Sequence, residues 1–175
     1  MTTKTEQLMK SWTPLAYGLL QDTAKSYGGV VTYLELSDHV QSTSGQRTTM
    51  LLMNWIGPML DLIAKQAHRD SDAPLASLCV KADGTIGDGY LKSIVATTGG
   101  EVEDLQWRAA EDRLACYQKY ASDLPADGGQ PTLTKQAKAK KERVTRKPVT
   151  EKTAGEVCPS CFMEKSLTGL CNNCD

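Results

Sequence analysis

From Trp12 onward, apolar residues fall at positions 12, 15, 16, 19 and 20, the three-and-four spacing that lines one face of a helix. Thr13 reads as its N-cap, Pro14 as its first helical residue, and Gly28-Gly29 as its stop after Tyr27. After an extended Val30-Val31, the run Thr32-Tyr33-Leu34-Glu35 has capping-box spacing: the Thr32 hydroxyl caps while Glu35 reaches back. It opens a short helix to about Val40, with Leu36 and Val40 facing inward. Residues 41–46 form a turn, and a third helix is expected from about Gln46, apolar after its first turn. Gly57-Pro58 interrupts that helix, and Pro58 begins a fourth that runs to about His68.

The period then changes. Leu75 to Lys81 reads as a strand, Asp83-Gly84 as a hairpin turn, and Thr85-Ile86 as the returning strand, with Gly87 and Gly89 loosening the chain beyond it. A long helix is expected from about Glu101 to Ala121. Val102, Leu105, Ala109 and Cys116 form its stripe, with Trp107, Ala110, Leu114 and Tyr117 beside it, wide enough to pack on a body. The expected class is therefore α+β, mostly α: a winged helix-turn-helix-like body over residues 1–125 that ends in a long helix.

Charge separates the remainder. Residues 1–125 carry a net charge of −4, residues 126–157 a net +4, and residues 158–175 a net −1. The middle segment has no aromatic residue and few large aliphatics, and is rich in Lys, Thr, Ala and Pro. Such a segment buries too little surface to offset its ordering entropy, so it reads as a disordered or extended basic linker. Its Lys138, Lys140, Lys141 and Arg143 fit nonspecific phosphate contact, and equally a solvated linker.

The chain closes with two C-x-x-C pairs, Cys158/Cys161 and Cys171/Cys174. A tight turn aims both sulfurs of a pair at one centre, and two pairs supply the four thiolates of a tetrahedral Zn²⁺ site. Pro159 stiffens the first knuckle, and the nine-residue spacer Phe162 to Leu170 has room for one short hairpin. The pattern over 158–174 resembles a zinc ribbon. Two disulfides would require an oxidising compartment, and a redox C-x-x-C does not require a second pair. The opening residues lack the apolar run of a signal peptide, and no apolar run approaches the ~20 residues of a membrane span, so a cytoplasmic, soluble chain is expected.

Three stretches, Val30–Val40, Ile56–Ile63 and Ala73–Tyr90, resemble a small domain found beside or within HNH endonucleases of actinobacteria and their phages. The likeness covers roughly residues 12–95. More distantly, they resemble the DNA-binding domain of alkylguanine DNA alkyltransferases and alkyltransferase-like proteins. The resemblance implies DNA association in an actinobacterial or phage-infected cytoplasm. The family chemistry does not carry over. Pro74 is followed by Leu75-Ala76-Ser77 where the alkyltransferases have cysteine, histidine and arginine, and Cys79 lies inside the expected strand. The HNH pattern is missing too, since the only histidines are His39 and His68, each at a helix end.

Candidate DNA contacts are Thr32 and Tyr33 at one helix start and Ser44, Gln46, Arg47 and Thr48 at the opening of the third helix, where polar side chains reach bases and phosphates. They equally serve to cap and solvate that helix. Cys79, Cys116 and Trp55 read as core, and the acidic run around Asp70 and Asp72 as surface. The expected function is a non-enzymatic DNA-associated protein. Body and linker would contact duplex DNA, and the ribbon a protein partner. The alternative is a protein–protein interaction factor, such as a modulator of a polymerase or defence enzyme, with no direct DNA binding. No small-molecule substrate and no membrane partner is expected.

Overall fold

The computed structural model describes residues 4–98, 102–146, 157–163, 171 and 173–174. They form helix α1 (Lys4–Ala24), strand β1 (Val31–Thr32), α2 (Tyr33–Ser44), α3 (Leu52–Arg69), a 3₁₀ turn (Leu75–Leu78), β2 (Cys79–Val80), α4 (Gly89–Thr98), α5 (Leu105–Tyr120) and α6 (Lys135–Arg146). Two compact units result, Met1–Lys141 and Glu142–Asp175. The class is α+β with helix dominant. No described helix is long and apolar enough to cross a membrane.

The core gathers one face of each of α1, α2, α3 and α5. Trp12, Leu20, Leu36, Met59, Ile63, Leu75 and Leu78 are all fully buried. Trp12 and Trp55 pack with ring centroids 4.9 Å apart. The Trp12 indole donates to Ser44 Oγ at 2.9 Å, which ties α1 to the end of α2. A second polar tie crosses the far side. The Asp72 carboxylate accepts from Tyr17 Oη and Tyr120 Oη at 2.5 Å each and from Lys119 Nζ at 2.7 Å, joining α1, the end of α3 and α5. Those donors hold Asp72 far below the usual carboxylate range even though burial opposes ionisation.

The capping box forms as expected: Thr32 Oγ1 accepts from Glu35 N at 3.3 Å, and Glu35 Oε2 accepts from Thr32 N at 2.7 Å. Gly45 ends α2 at φ +67°, a left-handed cap. α2 thus runs to Ser44, four residues beyond the expected end at about Val40, and other boundaries also differ from the sequence-based expectation. α1 begins eight residues before Trp12 and carries Pro14 in its interior, because Leu8, upstream of the proline, packs on the core. The third and fourth helices are one helix. Pro58 sits inside α3, and the residue before it is Gly57, which has no Cβ to clash with the proline ring. α3 begins only at Leu52, so residues 45–51 are a loop and Arg47 lies outside any helix. α5 starts at Leu105 because Asp104 caps it, accepting from the amides of Gln106 and Trp107.

The expected wing is also different. Cys79 and Val80 pair in parallel with Val31 and Thr32, and no antiparallel hairpin is present among the described residues. Lys81 N does bond Thr85 O at 2.9 Å across an Asp83-Gly84 turn with Gly84 at φ +75°. The ladder stops there because the Gln106 side chain takes both backbone groups of Ile86, accepting from its N–H at 2.8 Å and donating to its carbonyl at 3.3 Å. Helix α4 is absent from the sequence-based expectation. Two glycines at its start and a β-branched stretch hide it, yet Ile94 and Ser93 bury, and Ser93 donates to Asp61 of α3 at 3.0 Å.

The expectation of a disordered or extended linker over residues 126–157 is corrected as far as residue 146, and residues 147–156 of it lie outside the described residues. Gly129, at φ +74°, lies so close to the Tyr27 ring that a Cβ there would stand 2.8 Å from it. Tyr27 and Gln130 bond each other through Tyr27 Oη. Thr134 caps α6 by accepting from Ala137 N, and its hydroxyl donates to Gly84 O at 2.8 Å. Ala137 is buried, and Lys140 pairs with Asp83 at 2.7 Å. The anchors are small or polar residues that fit particular places on the body, and a scarcity of large aliphatics does not register them. The body therefore extends past Pro125 to Lys141.

Candidate metal centre and candidate nucleic-acid surfaces

The four C-terminal sulfurs all lie within 4.8 Å of one another, and Cys161 Sγ stands 3.4 Å from Cys171 Sγ. A short knuckle sets the first pair. Phe162 N bonds Cys158 O at 2.9 Å and Cys158 N bonds Met163 O at 2.8 Å, with Phe162 at φ +59° to close the turn. Cys174 N bonds Cys171 O at 3.2 Å in the second pair. A metal with bonds of about 2.3 Å to sulfur places tetrahedral ligands about 3.8 Å apart, so this spacing fits one ion.

The electrostatics agree. The amides of Ser160 and Cys161 point at Cys158 and lower its thiol to about 6. The Met163 amide, with neighbouring sulfurs, lowers Cys161. Cys171 is raised although the Asn173 amide acts to lower it, because Cys161 and Cys158 raise it. Cys174 is pushed to about 12, first by Cys161 and then by Cys171. Four sulfurs this close cannot all ionise unaided, and a divalent cation removes the conflict. These four residues, all identified from spacing, can hold a metal.

The expected DNA contacts do not converge. Thr32 and Tyr33 stand at the start of α2, and Ser44, Gln46, Arg47 and Thr48 at or beyond its end. Thr32 Oγ1 is engaged with Glu35. Tyr33 is half-buried against Gly87, and burial pushes its hydroxyl to about 12. Ser44 Oγ accepts from Trp12 and from Gln46 N, Gln46 Oε1 accepts from Ser11, and Thr48 N donates to Gln41. Arg47 is exposed. α6, by contrast, carries six basic residues and one acidic residue in twelve. Lys138, Lys140, Lys141 and Arg143 are exposed on it. Lys140 pairs with the body through Asp83.

Residue-by-residue reading misses a groove of about 730 Å³ between the start of α2, the first half of α3 and the start of α4, walled by Leu51, Met53 and Ile56. A signal is present: residues 51–60 contain no charged residue, yet Leu51 and Met53 are exposed. Comparison with models of known protein families, with characterised proteins and with solved structures finds no match to this chain.

Proposed function

We propose that this chain is a non-enzymatic DNA-associated protein whose four cysteines hold one Zn²⁺. The observation that carries the DNA reading is α6. The basic segment is a helix whose first turn is anchored to the body, so its cations form a fixed array instead of a fluctuating tail. A pre-ordered row of lysine and arginine meets the phosphate backbone without an ordering cost, and displaces its counterions. Arg47, exposed on the 45–51 loop, is a second phosphate or base contact. A winged-helix-like body belongs to the same proposal, with α2 and α3 as the helix pair and the turn at Lys81–Thr85 as a wing reduced to one cross-turn bond.

Zinc is favoured by the ligand set, four cysteine sulfurs within 4.8 Å of one another, which suits the tetrahedral four-thiolate coordination that Zn²⁺ takes. The buried carboxylates support a non-enzymatic role, because each is saturated in place: Asp72 by two tyrosines and a lysine, Asp112 by Tyr90 and Arg108. For the metal centre a protein partner fits better than DNA. Four thiolates on one Zn²⁺ leave a charge of −2, which phosphates repel, and Phe162 and Met163 beside the site are exposed apolar side chains.

Binding of the zinc-loaded chain to duplex DNA at several salt concentrations tests the reading. Replacing Lys138, Lys141 and Arg143 by glutamine should flatten the log–log salt slope by about 0.9 for each phosphate no longer neutralised, for all sequences alike. Arg47→Ala should weaken binding with little effect on folding. If the wild type shows no binding at ~100 mM salt, the reading of a protein-interaction factor replaces this one.

A further inference from the structure

The groove beside α3 combines an exposed apolar ridge with an apolar hollow. Leu51 and Met53 are 69% and 80% exposed and stand as an apolar ridge on its wall. The groove itself, about 730 Å³, is lined beside them by Leu52, Ile56 and Leu60. Gly57 lies on the same face, and a Cβ built there would meet nothing within 4 Å, so α3 is open to close approach. Ridge and groove therefore occupy one face.

We infer that this face binds a second copy of the chain around a two-fold axis. A two-fold contact sets the same patch against itself, so each copy must supply both the projecting side chains and the hollow that receives them. That requirement is met within α3 and its surroundings. The charges obey the same rule. Residues 51–60 bear none, so the first half of α3 can meet its copy without like-charge repulsion. The charged residues on the groove wall are Lys81 and Asp88, of opposite sign, and neither makes an ion pair among the described residues. A two-fold axis can bring Lys81 of one copy to Asp88 of the other. Duplex DNA is a poorer occupant, because α3 offers phosphates no cation before Lys65.

Sedimentation equilibrium on the full zinc-loaded chain, from roughly 1 to 200 µM, tests the inference through the concentration dependence of mass. A monomer–dimer equilibrium is expected. Leu51→Glu with Met53→Glu should weaken it at least about 30-fold, the effect of removing a central anchor of an interface. Both side chains are exposed, so the melting temperature of dilute monomer should not change. Lys81→Glu alone should weaken the dimer, and Lys81→Glu with Asp88→Lys should restore it, which a purely structural role for either residue would not produce. A wild type that stays monomeric at the highest concentration overturns the inference, as does a dimer indifferent to the Leu51 and Met53 changes. The DNA reading is measured separately, by α6 variants, so the two can fail independently.

Discussion

The unit Met1–Lys141 and the unit Glu142–Asp175 differ in what is available to hold them. The first buries a continuous core in which Trp12, Leu20, Leu36, Met59 and Ile63 are all fully covered, with polar ties at both ends. In the second, the described residues offer two knuckles and four sulfurs, while Phe162, Met163 and Val157 point outward. A hydrophobic core spreads stability over dozens of contacts, so no single change removes it. A metal knot concentrates stability in four bonds, and one change abolishes it.

Metal removal should give the largest effect. Structural zinc supplies on the order of 10 kcal/mol to a small site. Chelation should therefore abolish the fold around Cys158–Cys174 and leave the thermal transition of the first unit where it was. Elemental analysis of reduced protein should give one zinc per chain, and Cys171→Ser should bring that near zero. If chelation also shifts the first transition, the two regions are not independent and the contrast fails.

Truncation probes the boundary. A chain ending at Arg146 keeps Thr134 on Gly84, Ala137 in its seat and Tyr27 on Gln130, whereas one ending at Pro125 loses all three. At roughly 1 kcal/mol for each hydrogen bond and a little more for the buried alanine, the shorter chain should be less stable by about 3 kcal/mol. Equal stabilities in urea would show that residues 126–134 and α6 only rest on the body.

These cases show what the sequence can and cannot convey. The capping box, the cysteine quartet and the helical faces are local, carried by residues three or four apart, and they are legible in the chain. The features that escape a sequence reading depend on distant partners. Gln106 occupies the backbone of Ile86 from twenty residues away and keeps the Asp83-Gly84 turn from extending into a hairpin, and Tyr27 receives Gly129 from across the body. Pro14 and Pro58 read as helix starts because a proline is expensive inside a helix. Packing of Leu8 and the absence of a Cβ at Gly57 outweigh that cost here. The four cysteines that can hold a metal are therefore legible as a complete set. The residues proposed for DNA contact are legible only singly, and the fold distributes them between both ends of α2 and α6.

Next in size is the Asp72 cluster, which ties three helices of the first unit. Asp72→Asn should cost about 2 kcal/mol, in the range of hydrogen bonds to a charged group, with the exposed Lys119 partner adding little. Because the folded protein holds this carboxyl well below its unfolded value of about 3.9, its contribution is complete above that pH. It is lost as the pH falls towards the folded value. The stability gap between wild type and Asp72→Asn should thus be constant from about pH 5 to 7 and narrow below about pH 4. A gap that instead widens in acid would mean that the cluster stabilises the protonated form.

The smallest effect expected is also the one that separates a structural role from a DNA contact. Thr32 heads α2, and its hydroxyl is engaged twice by Glu35, accepting from the amide and donating to the carboxylate. Glu35 is held below the usual carboxylate range first by the Thr32 amide and then by that hydroxyl. Thr32→Ala removes the cap and should cost about 1 kcal/mol of stability in the first unit. Thr32→Ser keeps an oxygen in place and should recover most of it. If the hydroxyl serves only the cap, neither variant changes DNA affinity under conditions where the protein is fully folded, and neither changes the zinc content. A loss of affinity in Thr32→Ala that Thr32→Ser restores, at unchanged folded fraction, would instead put the start of α2 on the DNA, and would extend the contact surface from α6 to the opposite end of the helix from Arg47.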